Sequence, residues 1–95
     1  MHCTGIDFSG HALRRMFERA VTVSEVQTAI EFGETVAIYP DDLPYPSSLI
    51  LGVVAGRPLH VVVGRDPTTG ACYVITAYEP ASDLWEAGFK TRKTT

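Results

Sequence analysis

Ninety-five residues give room for one hydrophobic core, since domains below about 50 residues rarely stand alone, and a 45% hydrophobic share is that of a globular chain. A net charge of −3 counts against the broad basic surface with which dedicated nucleic-acid binders hold phosphates. No apolar run approaches the roughly 20 residues of a membrane helix.

The opening residues, Met1-His2-Cys3-Thr4-Gly5-Ile6-Asp7, offer neither a basic nor an apolar signal region, so the expected location is the cytoplasm. There, Cys3 and Cys72, which form no Cys-x-x-Cys pair, are expected as two reduced thiols. A zinc site from Cys3, His2 and a distant histidine lacks a fourth ligand of suitable spacing, so no metal and no cofactor is expected.

Ser9 is a helix cap, and the spacing predicts a first helix over residues 10–20 with Leu13, Met16, Phe17 and Ala20 facing inward. Thr22-Val23-Ser24-Glu25 has the form of a capping box, which opens a second helix over 24–32. That helix turns Val26, Ala29 and Ile30 inward and ends at Gly33, the residue suited to a left-handed C′ position. Both helices are too short to stand alone and need a surface to dock on.

Four strands supply it, at about 34–39, 48–54, 58–65 and 71–78. The proline-rich stretch from Pro40 to Pro46 cannot continue a strand, because its prolines lack donors and fix φ. Ala55-Gly56-Arg57 and Asp66-Pro67-Thr68-Thr69-Gly70 are hairpin connections, which make the neighbouring strands antiparallel. A short helical turn is expected over 82–89 around Trp85 and Phe89, and a frayed tail from Lys90. The fold class is therefore α+β: one domain, residues 1–95, with two N-terminal helices packed on one face of a four-stranded antiparallel sheet.

Chemistry has two candidate locations. His11, Arg15 and Arg19 stand at i, i+4 and i+8 and form one stripe on the first helix, a pattern that an ordinary solvated face also produces. A histidine in a helix's first turn is at the wrong end of the macrodipole for a cation, which suits a neutral base. On the third strand, alternation separates Leu59, Val61 and Val63 from His60 and Val62, and Thr76 and Tyr78 follow at period two on the next strand. With Arg57, these groups comprise two imidazoles, a phenol and several fixed cations. That is the equipment for cleaving an RNA phosphodiester without a metal: a base for the 2′-hydroxyl, an acid for the leaving oxygen and guanidinium groups for the charge between them.

Two stretches go beyond generic pattern. His11-Ala12-Leu13-Arg14-Arg15-Met16-Phe17-Glu18-Arg19 with Gly33-Glu34 resembles the opening of a bacterial family known as domain of unknown function number four-two-five-eight. The run from Gly56 to Val63, the run from Val74 to Tyr78, and Trp85 resemble its later part. Members look like the toxin half of toxin–antitoxin pairs, beside a partner with a zinc-finger segment resembling that of the MqsA/YgiT antitoxins. Their helices-then-sheet order is similar to that of RelE/MqsR-like messenger-RNA interferases. The resemblance implies a metal-independent endoribonuclease toxin, with His11, Arg15, Arg19, His60 and Tyr78 as catalytic candidates and Arg57 and Thr76 as substrate-binding ones. RelE-like toxins are usually basic, whereas this chain is acidic. The alternative is a non-catalytic module that binds a protein through a sheet edge or the Tyr39–Tyr45 loop, as a monomer or homodimer.

Overall fold

The computed structural model describes residues 1–94. Ser9, in an extended conformation, accepts a hydrogen bond from Ala12 N at 3.0 Å and starts helix α1 (Gly10–Glu18). The helix closes earlier than its spacing predicts. Val21 N donates to Met16 O at 2.8 Å and Ala20 N to Phe17 O at 3.2 Å, with Ala20 left-handed at φ 54°. This is a Schellman ending with alanine where glycine is usual, so no sequence signal marked it.

Helix α2 (Val23–Phe32) begins with the expected capping box: Glu25 N donates to Thr22 Oγ1 at 3.1 Å and Thr22 N to Glu25 Oε1 at 2.9 Å. Gly33 is not left-handed; it is extended at φ −77°, ψ 177°. Closeness explains the glycine instead, since a Cβ there would lie 2.5 Å from Leu51 O and 2.8 Å from Ile50 Cγ2.

Strands β2 (Glu34–Tyr39), β3 (Ser47–Val54), β4 (Arg57–Arg65) and β5 (Cys72–Tyr78) form the expected antiparallel meander. The β3–β4 hairpin turns on Ala55 and Gly56, both at positive φ (52° and 78°), as a twist-matched two-residue turn requires. The expected four-stranded antiparallel sheet is nevertheless incomplete. A further strand, β1 (Ile6–Phe8), pairs parallel with β5, so the sheet is mixed and five-stranded in the order β1-β5-β4-β3-β2. Three residues are too few to display a period, which is why β1 left no trace in the pattern.

Both helices cover one face of this sheet. Ala12 and Met16 of α1 and Val26, Ala29 and Ile30 of α2 share a core with Ile50, Leu59, Val61, Val63, Val74 and Ala77. The inward face expected for α1 is corrected here: Leu13 is 42% exposed, Phe17 is 87% exposed and Ala20 is exposed. The helix docks by its narrow Ala12–Met16 side, one turn apart, and turns the neighbouring apolar positions to solvent.

The cysteines are also corrected. Cys3 and Cys72 form a disulfide that ties the N-terminal arm to β5 across 69 residues of chain. A loop of that length is worth about 4 kcal/mol in the chain-entropy account. Reduction, or Cys3→Ser, should therefore lower the melting temperature clearly while leaving the far-ultraviolet spectrum of the folded chain intact; an unchanged melt would show that the bridge does not form in solution.

After β5 the chain makes a single helical turn, with Leu84 N and Trp85 N both donating to Ala81 O at 3.1 and 3.2 Å. The helical turn expected over 82–89 goes no further. Trp85 instead pairs with Arg92 as an isolated antiparallel bridge, Glu86 N donates to Thr91 O at 2.8 Å and Lys93 N to Leu84 O at 2.9 Å. The tail expected to fray from Lys90 is thus the return arm of a small hairpin; its last residue, Thr95, lies outside the described residues. Trp85, 9% exposed, gives that hairpin an apolar anchor.

Candidate functional site

With α1 and α2 on one face of the sheet, the opposite face is where β4 and β5 bring the strand candidates together. His60 stands directly across from Tyr78, and Val62 across from Thr76. Strand alternation sets His60 between the core residues Leu59 and Val61 but on the other side of the sheet. The C-terminal hairpin lies over this end of the open face. Trp85 meets the His60 ring edge-on at 4.4 Å between centroids, Tyr78 meets it edge-on at 5.5 Å, and the Arg92 guanidinium sits 5.7 Å from the Trp85 centroid.

His60 is fully buried, and its Nε2 lies 2.7 Å from Phe89 O. A carbonyl can only accept, so Nε2 carries the proton and Nδ1 presents a lone pair; that Nδ1 is buried and has no protein partner. Burial pushes the imidazole below its usual value, so it stays neutral, although the Phe89 carbonyl pulls the other way. Burial pushes the Tyr78 phenol up, with Tyr39 acting in the same direction and Arg92 and Arg19 opposing, so Tyr78 keeps its proton. A neutral base and a protonated phenol are thereby set side by side.

This has a measurable consequence. The unfolded chain protonates His60 near 6.5, the folded chain only at lower pH, so unfolding takes up a proton between those values. Stability present above the unfolded value should be lost as pH falls from about 7.5 to about 5.5, before the lowered carboxylates Glu25 and Asp66 begin to titrate. Urea titrations at the two pH values should separate, and His60→Gln should remove most of the difference. Equal midpoints in the native chain would contradict the burial of a neutral imidazole.

Arg19 reaches the same cluster from the end of α1. Its Nη1 donates to Thr76 Oγ1 and to Ala77 O, each at 3.1 Å. Strand β1 covers β5 only as far as Val74, so Arg19 satisfies a sheet edge that β1 leaves open. Arg57 is a hub beneath it. Its guanidinium donates to Ala20 O at 2.7 Å, Arg19 O at 3.1 Å and Glu79 Oε2 at 3.0 Å, and it pairs with Glu25 at 3.6 Å. Arg57 thus fixes the last turn of α1 and the place from which Arg19 extends. With every named partner internal, its role is positioning.

Five of the seven sequence candidates therefore meet: Arg19, Arg57, His60, Thr76 and Tyr78. The other two do not. His11 and Arg15 are exposed on the outer side of α1, with the sheet between them and His60, and among the described residues Arg15 makes an exposed pair with Glu18 at 3.5 Å. Sequence reading missed Arg92, because a residue assigned to a frayed tail has no position; the signal was Trp85, whose burial anchors the segment that carries it. Farther along the same face, Leu43, Pro44, Tyr45, Gly64, Tyr73 and Ile75 line an apolar cleft of about 410 Å³, with Tyr45 and Tyr73 stacked at 5.4 Å. Among the described residues, no group of three or more His, Cys, Asp or Glu side chains is placed to hold a metal ion, and Cys3 is engaged in the disulfide.

Residues 8–79 match the family described as a domain of unknown function, DUF4258. The chain belongs to this family. The matched region takes in every one of the seven sequence candidates and ends just after Tyr78, so Trp85, Phe89 and Arg92 lie beyond it. No curated protein and no solved structure matches the chain.

Proposed function

We propose that the chain is a metal-independent endoribonuclease toxin, related in arrangement to the RelE/MqsR-like interferases, and that its working groups are those of the open sheet face. The observation that carries this reading is the pairing of a neutral imidazole with a protonated phenol beside Arg19. His60 Nδ1, buried in the resting chain, has to be uncovered on binding; it then takes the proton of an RNA 2′-hydroxyl, whose oxygen bonds to the adjacent phosphorus. As the bond from phosphorus to the 5′-oxygen breaks, Tyr78 protonates the leaving oxygen. The products are a 2′,3′-cyclic phosphate and a 5′-hydroxyl, and a proton returned from His60 through solvent resets Tyr78. The guanidinium of Arg19, fixed by Thr76 and Ala77 O, opposes the charge that builds on the phosphoryl oxygens. Two helices ahead of a meander, with the opposite sheet face carrying these groups, support the RelE/MqsR-like comparison.

The test is incubation of purified protein with single-stranded RNA in the presence of a chelator, with the ends of any fragments identified. Cyclic-phosphate and 5′-hydroxyl ends are the expected result; intact RNA at high protein concentration would sink the reading. A cytoplasmic location belongs to the same proposal, and there the Cys3–Cys72 bridge would be open and the fold would rest on its core.

A second reading, a protein-binding module, has its own support. Strand β2 is an edge of the sheet; Ile38 within it is 66% exposed and Phe32, just before it at the end of α2, is 78% exposed. Under the toxin proposal the same edge would receive a zinc-finger antitoxin. Co-purification with a neighbouring gene product, lost on Ile38→Lys but kept in His60→Gln, would support the edge as the binding surface.

A further inference from the structure

The fully buried His60 is covered by the chain's own C-terminal hairpin, and the way it is covered resembles the chemistry of a nucleotide. An aromatic ring, Trp85, lies against the imidazole, and an oxygen acceptor, Phe89 O, sits 2.7 Å from Nε2. A base set edge-on against the imidazole and a phosphate oxygen accepting from Nε2 would make the same two contacts. Among the described residues, the polar attachments of this hairpin to the rest of the chain are few. Beyond Trp85 and Phe89 O they include one ion pair, Lys90 to Glu34 at 2.8 Å, with both side chains more than half exposed. Such a pair contributes about 0–1 kcal/mol. Its turn also holds two successive left-handed residues, Gly88 at φ 89° and Phe89 at φ 61°, and the second is not glycine.

We propose that residues 81–94 are a strap occupying a nucleotide subsite on the open sheet face, and that a single-stranded RNA enters by displacing it. The inference rests on the ribonuclease reading for its substrate class, but its contacts are independent of catalysis. The strap holds the His60 ring through Nε2 and Trp85 in the resting chain and releases it when substrate arrives. Apparent affinity is then the intrinsic affinity multiplied by the fraction of time the strap is open. Arg92, carried on the strap beside Trp85, leaves with it or closes over the bound strand.

Trp85 is the single tryptophan of the chain, so its fluorescence reports the strap directly. The probe is an RNA oligonucleotide with 2′-O-methyl riboses, which cannot be cleaved. Its addition is expected to shift Trp85 emission to the red and to speed hydrogen exchange at Glu86, Phe89 and Lys93, whose amide bonds hold the hairpin. Gly88→Val places a β-branched residue at a φ it cannot easily adopt, away from other atoms and outside the core. It should expose Trp85 without oligonucleotide, leave the melting of the sheet nearly unchanged and tighten oligonucleotide binding by about tenfold. Binding with Trp85 unmoved, equal binding by the native chain and Gly88→Val, or no binding by either would overturn the strap. Strap release without cleavage of ordinary RNA would instead sink the ribonuclease proposal and leave the subsite standing; cleavage with the strap still seated would do the reverse.

Discussion

Gly52→Val should lower the stability of the chain by about 3 kcal/mol, the upper part of the usual range for overpacking a core. The reason lies in one contact. A Cβ on Gly52 would fall 2.5 Å from Ala29 Cβ and 2.7 Å from Ala29 Cα, so the α2 backbone itself blocks it. Helix α2 rests on β3 at this point, and Gly52 of β3 together with Ala29 of α2 is what permits the approach. Valine adds two further methyl groups and forces the helix outward, which opens the core around Val26 and Ile30. For a domain of this size the melting temperature should fall on the order of 15 °C. Gly10→Ala is the control, since a Cβ there meets nothing within 4 Å and its φ is not positive; it should melt within a few degrees of the native chain. A native-like melt for Gly52→Val would mean that α2 and β3 are not in contact at Ala29.

Arg19→Ala should cut activity strongly. Removing one preorganised donor to a developing oxyanion costs about 10²–10³ in rate. Tyr78→Phe, which deletes the proposed acid and keeps the ring against His60, should cost about 10²–10⁴. Both are compared with His11→Ala and Arg15→Ala, which lie on the outer side of α1 and should remain within a few-fold of the native rate. Arg19→Ala also loses its bonds to Thr76 and Ala77 O, worth about 1–3 kcal/mol of stability, so rates are read at a temperature where every variant is folded. Arg19→Lys, which keeps the charge without the planar fork, should recover part of the loss. If His11→Ala removed cleavage and Arg19→Ala did not, the chemistry would belong to the helix stripe and the open-face assignment would fall.

Much of the architecture was legible from local chemistry. The capping box at Thr22 and Glu25, the cap at Ser9 and the Gly56 turn are short-range devices, and each forms the element its residues announce. The pairing of His60 with Tyr78 was legible too, because hairpin length and strand alternation leave few registers. What escaped was set at long range. Strand β1 exists because β5 offers it an edge and the Cys3–Cys72 bridge holds the arm in place. The inward side of α1 was misread because Leu13 and Phe17 are more hydrophobic than Ala12, while the close approach of helix to sheet favours the smaller residue. Gly33 and Gly52 are required by the distance between two elements, which periodicity does not encode.

The division of the histidines has the same origin. His11 and His60 both suit neutral-base chemistry by type, and only the docking of α1 decides whether they share a site. With Ala12 and Met16 in the core, His11 turns to solvent on the helix side while His60 faces the other way. Arg19 alone crosses to the open-face cluster, because the left-handed turn at Ala20 and the bonds from Arg57 fix the end of the helix beside the uncovered edge of β5.

The most direct measurement is the map of backbone amide shifts on titrating the folded chain with the uncleavable 2′-O-methyl RNA. Shifts are expected at Arg19, His60, Thr76, Tyr78 and the 84–93 hairpin, with His11 and Arg15 unmoved. Shifts confined to the outer side of α1, or none at saturating RNA, would contradict it.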